Sequence, residues 1–232
     1  MQSIRDTEIL NSVTQTYDAI AGSWDRVRRR PGKVWNVLLP YIHEGDRVLD
    51  IGCGSGRLYE FLRSKNAAYT GIDGSRELIE IARARYSISP SFLVSPMQSL
   101  PLGNASFDVI CCLAAFHHLP SVAIRQHVLD EFRRVLTPTG VLLMTNWSTY
   151  HLLSSWRLRP LPILTGRRDV MIPWKLPDGR VYQRFYHAFL LSELSALLEA
   201  SGWEIKTACY IGQHGMTRWF RSLYSFVVAT PQ

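Results

Sequence analysis

The chain has 232 residues, enough for one domain with a sizeable core, and its 47% apolar content is typical of a folded globular protein. No run of 18 apolar residues predicts a membrane span, and residues 1–10 lack the apolar stretch of a secretory signal. The four cysteines form no CxxC pair. We therefore expect neither a metal site nor a disulfide framework, and a reducing cytoplasm suits the chain.

The net charge of +7 is concentrated in two segments. Residues 21–33 hold five basic residues and one acid, and residues 150–184 hold seven basic residues and two acids. These segments carry +4 and +5, so the remainder of the chain sums to −2. Two basic patches on a near-neutral body predict a polyanionic partner such as a nucleic acid, although 22 arginines against four lysines also fit a compositional bias.

Apolar periodicity predicts helices and strands that alternate along most of the chain. A first helix is predicted at 6–23, then a basic loop at 24–32 and a short apolar helix at 34–42. Further helices are predicted at 57–64, 77–86, 121–136 and 192–201, and strands at 47–51, 69–72, 91–94, 107–112, 141–145, 203–208 and 221–230. The Thr-Pro-Thr-Gly segment at 137–140 is predicted to stop the preceding helix.

This alternation predicts an α/β fold with a doubly wound, mostly parallel sheet of seven strands. Residues 150–184 interrupt it with prolines, glycines, aromatics and arginines, and are predicted to form an irregular insertion or lid. We expect a single domain over residues 1–232. Its parts are an N-terminal helical cap (1–45), a cofactor-binding core (46–149), the insertion (150–187), and a C-terminal helix with strands (188–232).

The stretch Asp50-Ile51-Gly52-Cys53-Gly54-Ser55-Gly56 lies between a predicted strand and a predicted helix, which is the context of a nucleotide-binding loop. Its glycines alternate, unlike the G-x-G-x-x-G of dinucleotide sites. Asp50 places an anion at the strand end, which opposes a pyrophosphate but suits a cationic ligand. Asp73, which lies 17 residues beyond Gly56, ends the next strand and is predicted to accept both ribose hydroxyls. S-adenosylmethionine, a sulfonium nucleoside, is the predicted cofactor.

Two later segments resemble class I S-adenosylmethionine-dependent methyltransferases. Residues 95–102 resemble the adenine-contacting segment, with Pro96 where many relatives have an acid. Residues 107–119 resemble the fourth-strand motif, whose end lies beside the transferable methyl group. The predicted cofactor-binding residues are Tyr17, Asp50, Gly52, Cys53, Gly54, Gly56, Asp73, Gly74, Ser75, Met97, Gln98 and Leu113.

Three outer segments resemble the tRNA wobble-uridine methyltransferases, which esterify 5-carboxymethyluridine. They are Tyr17-Asp18-Ala19-Ile20-Ala21 with Trp24, Arg28 and Pro31, then Asp169-Val170-Met171-Ile172-Pro173-Trp174, then Arg184-Phe185-Tyr186-His187-Ala188-Phe189 with Glu193-Leu194. These enzymes include a stand-alone fungal form and a domain of an AlkB-type animal protein, and they work with a small zinc-binding activator. The resemblance implies tRNA as a partner, the activator as a second one, no membrane, and a monomer or heterodimer.

A carboxylate is already ionised at neutral pH, so its esterification needs orientation rather than a general base. An arginine fork holds a carboxylate in a fixed plane. Arg28 and Arg184 are the motif-matching candidates for this catalytic role, and His117 could donate a hydrogen bond. The predicted substrate-binding residues are Arg29, Arg30, Trp174, Tyr186 and His187, with Tyr182 and Phe185 as further candidates for base stacking.

Two alternatives share the core motifs. A small-molecule methyltransferase, acting on a quinone precursor or natural product, would use His117 or His118 as a base for a phenol or carbon acceptor. A non-catalytic, cofactor-binding subunit associated with RNA is the other, and the missing acid at Pro96 is the feature that favours it.

Overall fold

The computed structural model describes residues 2–28, 33–86, 90–149, 168–212, 215–218 and 222–232. Its strands are β1 (Arg47–Ile51), β2 (Ala68–Asp73), β3 (Ser91–Val94), β4 (Phe107–Leu113), β5 (Leu136–Trp147), β6 (Asp169–Lys175), β7 (Val181–His187), β8 (Trp203–Gly212), β9 (Gly215–Met216) and β10 (Tyr224–Pro231). Its α-helices are α1 (Gln2–Val27), α2 (Arg57–Leu62), α3 (Arg76–Arg85), α4 (Val122–Val135) and α5 (Leu191–Ala200), and 3-10 helices span Lys33–Tyr41, Arg63–Lys65 and Phe116–His118. Among these described residues, no helix is both long and apolar enough to cross a bilayer.

The main sheet has the strand order β3-β2-β1-β4-β5-β10-β8-β9. Strands β1 to β5 pair in parallel, whereas β10 runs antiparallel to both β5 and β8. The predicted doubly wound, mostly parallel sheet of seven strands is confirmed, and β9 adds two residues to its edge. The winding reverses between β1 and β4, and in such sheets ligands bind beyond the carboxyl ends of the strands at this point.

Helices cover both faces of the sheet, which explains why its central strands are nearly continuous apolar runs. On one face Phe132 of α4 and Leu198 of α5 pack with Leu49 and Ile110 of the sheet. On the other face, the 3-10 helix at Lys33–Tyr41 and helices α2 and α3 enclose a second cluster. The carboxyl edge of the sheet is therefore held between two buried layers.

Helix α1 continues to Val27, past the end predicted at residue 23. Three of its carboxylates accept hydrogen bonds from serine hydroxyls of other elements. The pairs are Asp6–Ser121, Asp18–Ser75 and Asp25–Ser55, each at 2.6 Å. Ser75 and Ser121 are also the N-caps of α3 and α4, so their hydroxyls accept a helix amide while donating to α1. These contacts fix α1 across the carboxyl edge of the sheet.

Two segments have a different secondary structure from the one predicted. Residues 33–41 form a 3-10 helix that contains Pro40, which has no N–H to donate to a helical hydrogen bond. Helix α4 ends at Val135 and β5 begins at once, so Thr137–Gly140 are not a turn between separate elements. These four residues are not paired with β4. Phe107 pairs with Leu136 and Val109 pairs with Val141, so one residue of β4 lies opposite four residues of β5. The turn-forming residues therefore appear as a bulge within a strand.

The described part of the predicted irregular insertion is a β-hairpin. Strand β6 pairs antiparallel with β7 over its whole length, in a two-stranded sheet of its own. Pro173 opposes Gln183 and is tolerated because, among the described residues, β6 has no second neighbouring strand that would need the N–H that proline lacks. Along β6, exposed and half-buried side chains alternate, as expected for a strand with one covered face.

Candidate active site

A cavity of about 820 Å³ lies at the carboxyl edge of the sheet, between α1 and the ends of β1, β2, β4 and β5. Pockets of about 300–1,000 Å³ enclose most of a drug-sized molecule, so this cavity can hold a nucleoside cofactor with space for an acceptor group beside it. Of the predicted site residues, those lining it are Tyr17, Arg28, Gly52, Cys53, Gly54, Asp73, Gly74, Ser75, Met97, Gln98, Leu113 and Tyr186.

The floor of the cavity is the loop after β1. Gly52 and Gly54 have φ of +74° and +56°, a left-handed conformation that side chains disfavour. A Cβ on Gly52 would lie 2.3 Å from the Cβ of Ala115, so only glycine fits there. A Cβ on Gly54 would meet no protein atom within 4 Å and would extend into open space instead. The loop backbone can therefore approach a ligand closely at Gly54.

Asp73 ends β2 and is held by the same loop. Its Oδ2 accepts from the backbone N–H of Gly54 and its Oδ1 from that of Ser75, both at 2.8 Å. Burial raises the pKa of Asp73, and these two hydrogen bonds oppose the rise. Each oxygen keeps a lone pair, which suits the two hydroxyls of a ribose. The residues present thus fit the nucleoside part of S-adenosylmethionine.

Asp50 and Gly56 lie behind the loop and do not line the cavity. The Asp50 side chain is buried and accepts a 2.5 Å hydrogen bond from the hydroxyl of Tyr69. Burial raises its pKa to about 7, against the lowering effect of that hydrogen bond. Gly56 begins α2 with its Cα facing the rings of Phe92 and Tyr86. Direct contact with the cofactor was predicted for both residues. In the structure, Asp50 and Gly56 instead contact the side chains that support the loop from behind.

The segment after β3 forms another wall of the cavity, through Ser95, Pro96, Met97 and Gln98. The carbonyl oxygen of Gln98 is hydrogen-bonded to Nε2 of His127 at 2.9 Å, so its side chain rather than this carbonyl is free to meet a base. Pro96 is exposed and lines the cavity, but it has no side-chain acceptor in place of the acid implied by the resemblance.

At the other end of the cavity, hydrogen bonds link Arg184, Tyr186, Tyr17 and His118. Arg184 donates to the Tyr186 hydroxyl at 2.9 Å, and the two tyrosine oxygens are 3.5 Å apart. The Tyr17 oxygen is 3.0 Å from Nε2 of His118, whose Nδ1 is 2.7 Å from the carbonyl oxygen of Phe185.

The direction of this chain follows from its ends. A carbonyl only accepts and a guanidinium only donates. Nδ1 of His118 must therefore carry the proton, so Nε2 accepts from Tyr17, and the hydroxyl of Tyr186 donates to that of Tyr17. Burial lowers the pKa of His118 to about 4, which keeps this ring neutral at physiological pH. Its remaining lone pair is thus occupied by the Tyr17 proton.

Arg184 and Trp174 lie behind the cavity wall that contains Tyr17 and Tyr186, and they connect the β6–β7 hairpin to α1. The Arg184 guanidinium sits 5.4 Å from the ring of Trp24 and 5.1 Å from that of Trp174. The Trp174 indole N–H donates to the Ser23 hydroxyl at 3.2 Å. Neither side chain lines the cavity. The structure therefore places Arg184 and Trp174 in the packing between α1 and the hairpin, where a carboxylate clamp and a base contact were predicted.

The two remaining predicted histidines also lie away from the cavity. His117 is 1% exposed, stacks on Tyr186 at 4.5 Å, and burial lowers its pKa well below the usual value. His187 lies between Asp169 at 2.6 Å and Glu193 at 2.9 Å, joining the hairpin to α5. It is His118, the neighbour of His117, that faces the cavity.

Arginine side chains also line the cavity. The Arg28 guanidinium lies 5.2 Å from the ring of Trp24. Arg57, which sequence analysis did not single out, lies 5.1 Å from the ring of Trp35. Its position directly after the glycine loop was the signal available. The predicted substrate residues Arg29 and Arg30 lie outside the described residues.

Comparison with known proteins agrees with this site. Residues 49–144 match the family model described as "Methyltransferase domain". A Methanosarcina mazei structure described as a SAM-dependent methyltransferase is 27% identical, with a TM-score of 0.68 over 84% of this chain and 96% of that one. A Haloferax volcanii putative methyltransferase, solved in complex with the Trm112 methyltransferase activator, has the same fold, with a TM-score of 0.70 at 20% identity over 94% of this chain and 97% of that one. The predicted class I methyltransferase with S-adenosylmethionine as cofactor is confirmed.

Two curated relatives carry a more specific name, tRNA (carboxymethyluridine(34)-5-O)-methyltransferase. The Xenopus tropicalis protein is 28% identical over 80% of this chain, and the chain spans 36% of its length. The Schizosaccharomyces pombe protein is 28% identical over 83% of this chain and 89% of its own length.

Proposed function

We propose that this S-adenosylmethionine-dependent methyltransferase esterifies the carboxymethyl group of a wobble uridine in tRNA. The observation that supports this most is the character of the acceptor end of the cavity. Arginines line it, while the imidazole there, His118, already accepts the Tyr17 proton at Nε2. Such a site suits an acceptor that is anionic before it reacts and needs no base.

For this reaction the protein needs mainly to orient the acceptor carboxylate towards the methyl group. S-adenosylmethionine supplies a methyl group bonded to a sulfonium. A carboxylate oxygen of the acceptor forms the new C–O bond as the carbon–sulfur bond breaks, so no proton moves. Arg28 would hold the carboxylate in plane, and the apolar wall formed by Leu113, Tyr17 and Tyr186 would exclude water. Orientation of this kind is worth several kcal/mol of the activation barrier.

The same arrangement disfavours the small-molecule alternative with a phenol or carbon acceptor. That reaction needs a base with an available lone pair. His117 is buried behind Tyr186, and the lone pair of His118 is occupied by the Tyr17 proton. Asp73, the carboxylate on the cavity wall, is committed to two loop amides at the cofactor end. An intact Asp73 and glycine loop are equally compatible with the non-catalytic, cofactor-binding alternative, which methyl transfer to tRNA would exclude.

tRNA and an activator are the proposed partners. Two relatives are named as tRNA methyltransferases, and one structure of the same fold is a complex with Trm112. tRNA binding should weaken steeply with salt, because counterions are released as arginines neutralise phosphates. The four cysteines are free, which suits the cytoplasm as the compartment.

The test is mass spectrometry of nucleosides from 5-carboxymethyluridine-containing tRNA, incubated with the protein and methyl-labelled cofactor. We expect label on the wobble nucleoside as a base-labile ester. Arg28→Ala should abolish this product, and the exposed Arg63→Ala should not affect it. Label that appears on small metabolites and is absent from tRNA would refute the proposal.

A further inference from the structure

Arg57 shares the cavity with Arg28, although the two residues belong to different elements. Arg57 is the first residue of α2, and Arg28 follows the end of α1. Each guanidinium lies beside an indole, Trp35 for Arg57 and Trp24 for Arg28. A cation–π contact of this kind orients a guanidinium without neutralising its charge.

Eight of the described arginines form ion pairs with acidic side chains. Arg85 pairs with Asp25 at 2.6 Å and Arg47 with Asp108 at 2.8 Å. By contrast, neither Arg28 nor Arg57 lies within ion-pair distance of a carboxylate in the part of the chain that the structure describes.

The two cations also repel each other. Burial, and after it the charge of Arg28, lower the pKa of Arg57, while Tyr224, Asp50 and Asp25 offset this in part. Holding two like charges together in a partly desolvated site costs free energy unless an anion binds between them. The arrangement is therefore that of a site completed by a negatively charged ligand.

We infer that Arg57 and Arg28 together form a binding site for a carboxylate group within the cavity. A carboxylate matches the fork of donors on a guanidinium, and two arginines can engage both of its oxygens. The inference deepens the proposed function, on which it rests, because both ligands of that reaction carry this group. The carboxylate is either that of the carboxymethyl acceptor or that of the methionine part of the cofactor.

Arg184, the other arginine predicted to bind a carboxylate, has different surroundings from Arg57. Arg184 is 3% exposed, donates to the Tyr186 hydroxyl and is enclosed by aromatic rings. It does not line the cavity, whereas Arg57 does. Arg26 also lines the cavity, but it is Arg57 whose guanidinium lies beside an indole and is affected by the charge of Arg28, so Arg57 is assigned as the second arginine of the carboxylate site.

Calorimetry on Arg57→Gln and Arg57→Lys tests this inference. One pair of titrations uses S-adenosylmethionine and its decarboxylated analogue. The other uses 5-carboxymethyluridine and uridine, each in the presence of S-adenosylhomocysteine. Arg57→Gln should weaken binding of the carboxylate-bearing member of one pair by about 10- to 100-fold, the usual effect of losing a hydrogen bond to a charged group. Arg57→Lys keeps the positive charge but loses the two parallel donors of the guanidinium. Its affinity for the carboxylate-bearing ligand should lie between those of Arg57→Gln and the wild type.

Loss confined to the cofactor pair identifies the methionine carboxylate, and loss confined to the nucleoside pair identifies the acceptor. Either result supports the site. Unchanged affinities, or equal losses for ligands with and without the carboxylate, would overturn it. Arg63→Gln is the matched control, because Arg63 is exposed and follows the same helix. If wild-type protein leaves tRNA unmethylated while the selective loss is seen, the proposed function fails and the carboxylate site stands.

Discussion

Tyr17 donates a hydrogen bond to Nε2 of His118 over 3.0 Å, joining two residues that lie 101 positions apart. The bond connects α1 to the 3-10 turn after β4, so two walls of the cavity are joined to each other. Because Nδ1 of the same ring donates to the Phe185 carbonyl, the β6–β7 hairpin is fastened there as well. Disturbing this ring or its partner should therefore affect both stability and ligand binding.

Tyr17→Phe leaves the buried Nε2 of His118 without its donor. An unsatisfied buried polar group costs about 1–3 kcal/mol, so we expect the free energy of unfolding to fall by about that amount. Urea denaturation measures it. Tyr182→Phe is the control, since the Tyr182 hydroxyl makes a 3.4 Å contact with Arg180 on the exposed part of the hairpin. Equal stability of Tyr17→Phe and wild type would contradict the role of this bond.

Acid should destabilise the protein through His118. Its pKa falls from 6.5 to about 4 on folding, so between these pH values the unfolded chain binds a proton that the native state does not. The free energy of unfolding therefore declines as the pH drops from 6.5 towards 4, by about 2 kcal/mol at pH 5 from this group alone. Above pH 6.5 the contribution is constant.

Urea titrations at pH 7 and pH 5 check this dependence. His118→Asn should reduce the difference between the two pH values by about 2 kcal/mol. His43→Gln should leave it unchanged, because the His43 side chain is 73% exposed. The same difference in all three proteins would show that His118 is not the group responsible.

Gly54→Ala should separate folding from cofactor binding. Gly54 and Gly45 both have positive φ and open space where a Cβ would lie, so alanine at either position should cost about 1–2 kcal/mol of stability. At Gly54 the methyl would also enter the cavity, and forcing an extra methyl into a packed contact costs about 1–3 kcal/mol. We expect cofactor affinity to fall about tenfold or more for Gly54→Ala and to hold for Gly45→Ala. Calorimetry showing equal affinities would place the cofactor elsewhere.

Asp73→Asn should weaken cofactor binding by about 10- to 100-fold, because a charged acceptor for the ribose is lost and one amide oxygen cannot serve both loop N–H groups. Direct titration with S-adenosylhomocysteine measures the effect. Asp108→Asn is the control, since the Asp108 carboxylate contacts the side chain and backbone N–H of Arg47 and does not line the cavity. A ribose that binds elsewhere would leave the affinity of Asp73→Asn at the wild-type value.

The sheet was predictable because buried parallel strands are continuous apolar runs and each is followed by a helix with a polar face. The β6–β7 hairpin was missed because Pro173 suggested irregular structure, although β6 is an edge strand where proline is tolerated. The last turn of α1 was missed because Arg26 and the basic residues that follow the helix are typical of a loop. Its helical state depends on Trp24 packing against Tyr17 and Trp174, contacts across the fold that local periodicity does not reveal.

Within the site, the cofactor loop and Asp73 were predictable from their order along adjacent strands. The acceptor end was not. His117 and His118 are neighbours on a single 3-10 turn. The orientation of each ring depends on a tyrosine from a distant segment, because His117 stacks on Tyr186 and His118 accepts a hydrogen bond from Tyr17. Arg57 matches no motif, and its importance depends on having Arg28 beside it in a partly buried cavity.

Helix α1 precedes in the chain every partner that holds it. Asp6 bonds Ser121, Thr16 bonds the carbonyl of Gln183, and Tyr17 contacts Tyr186. During synthesis this helix therefore meets its serine partners first and its hairpin partners only after residue 183 has been made. A nascent chain that ends before residue 183 already contains the whole glycine loop, but the wall that α1 forms with the hairpin is still incomplete.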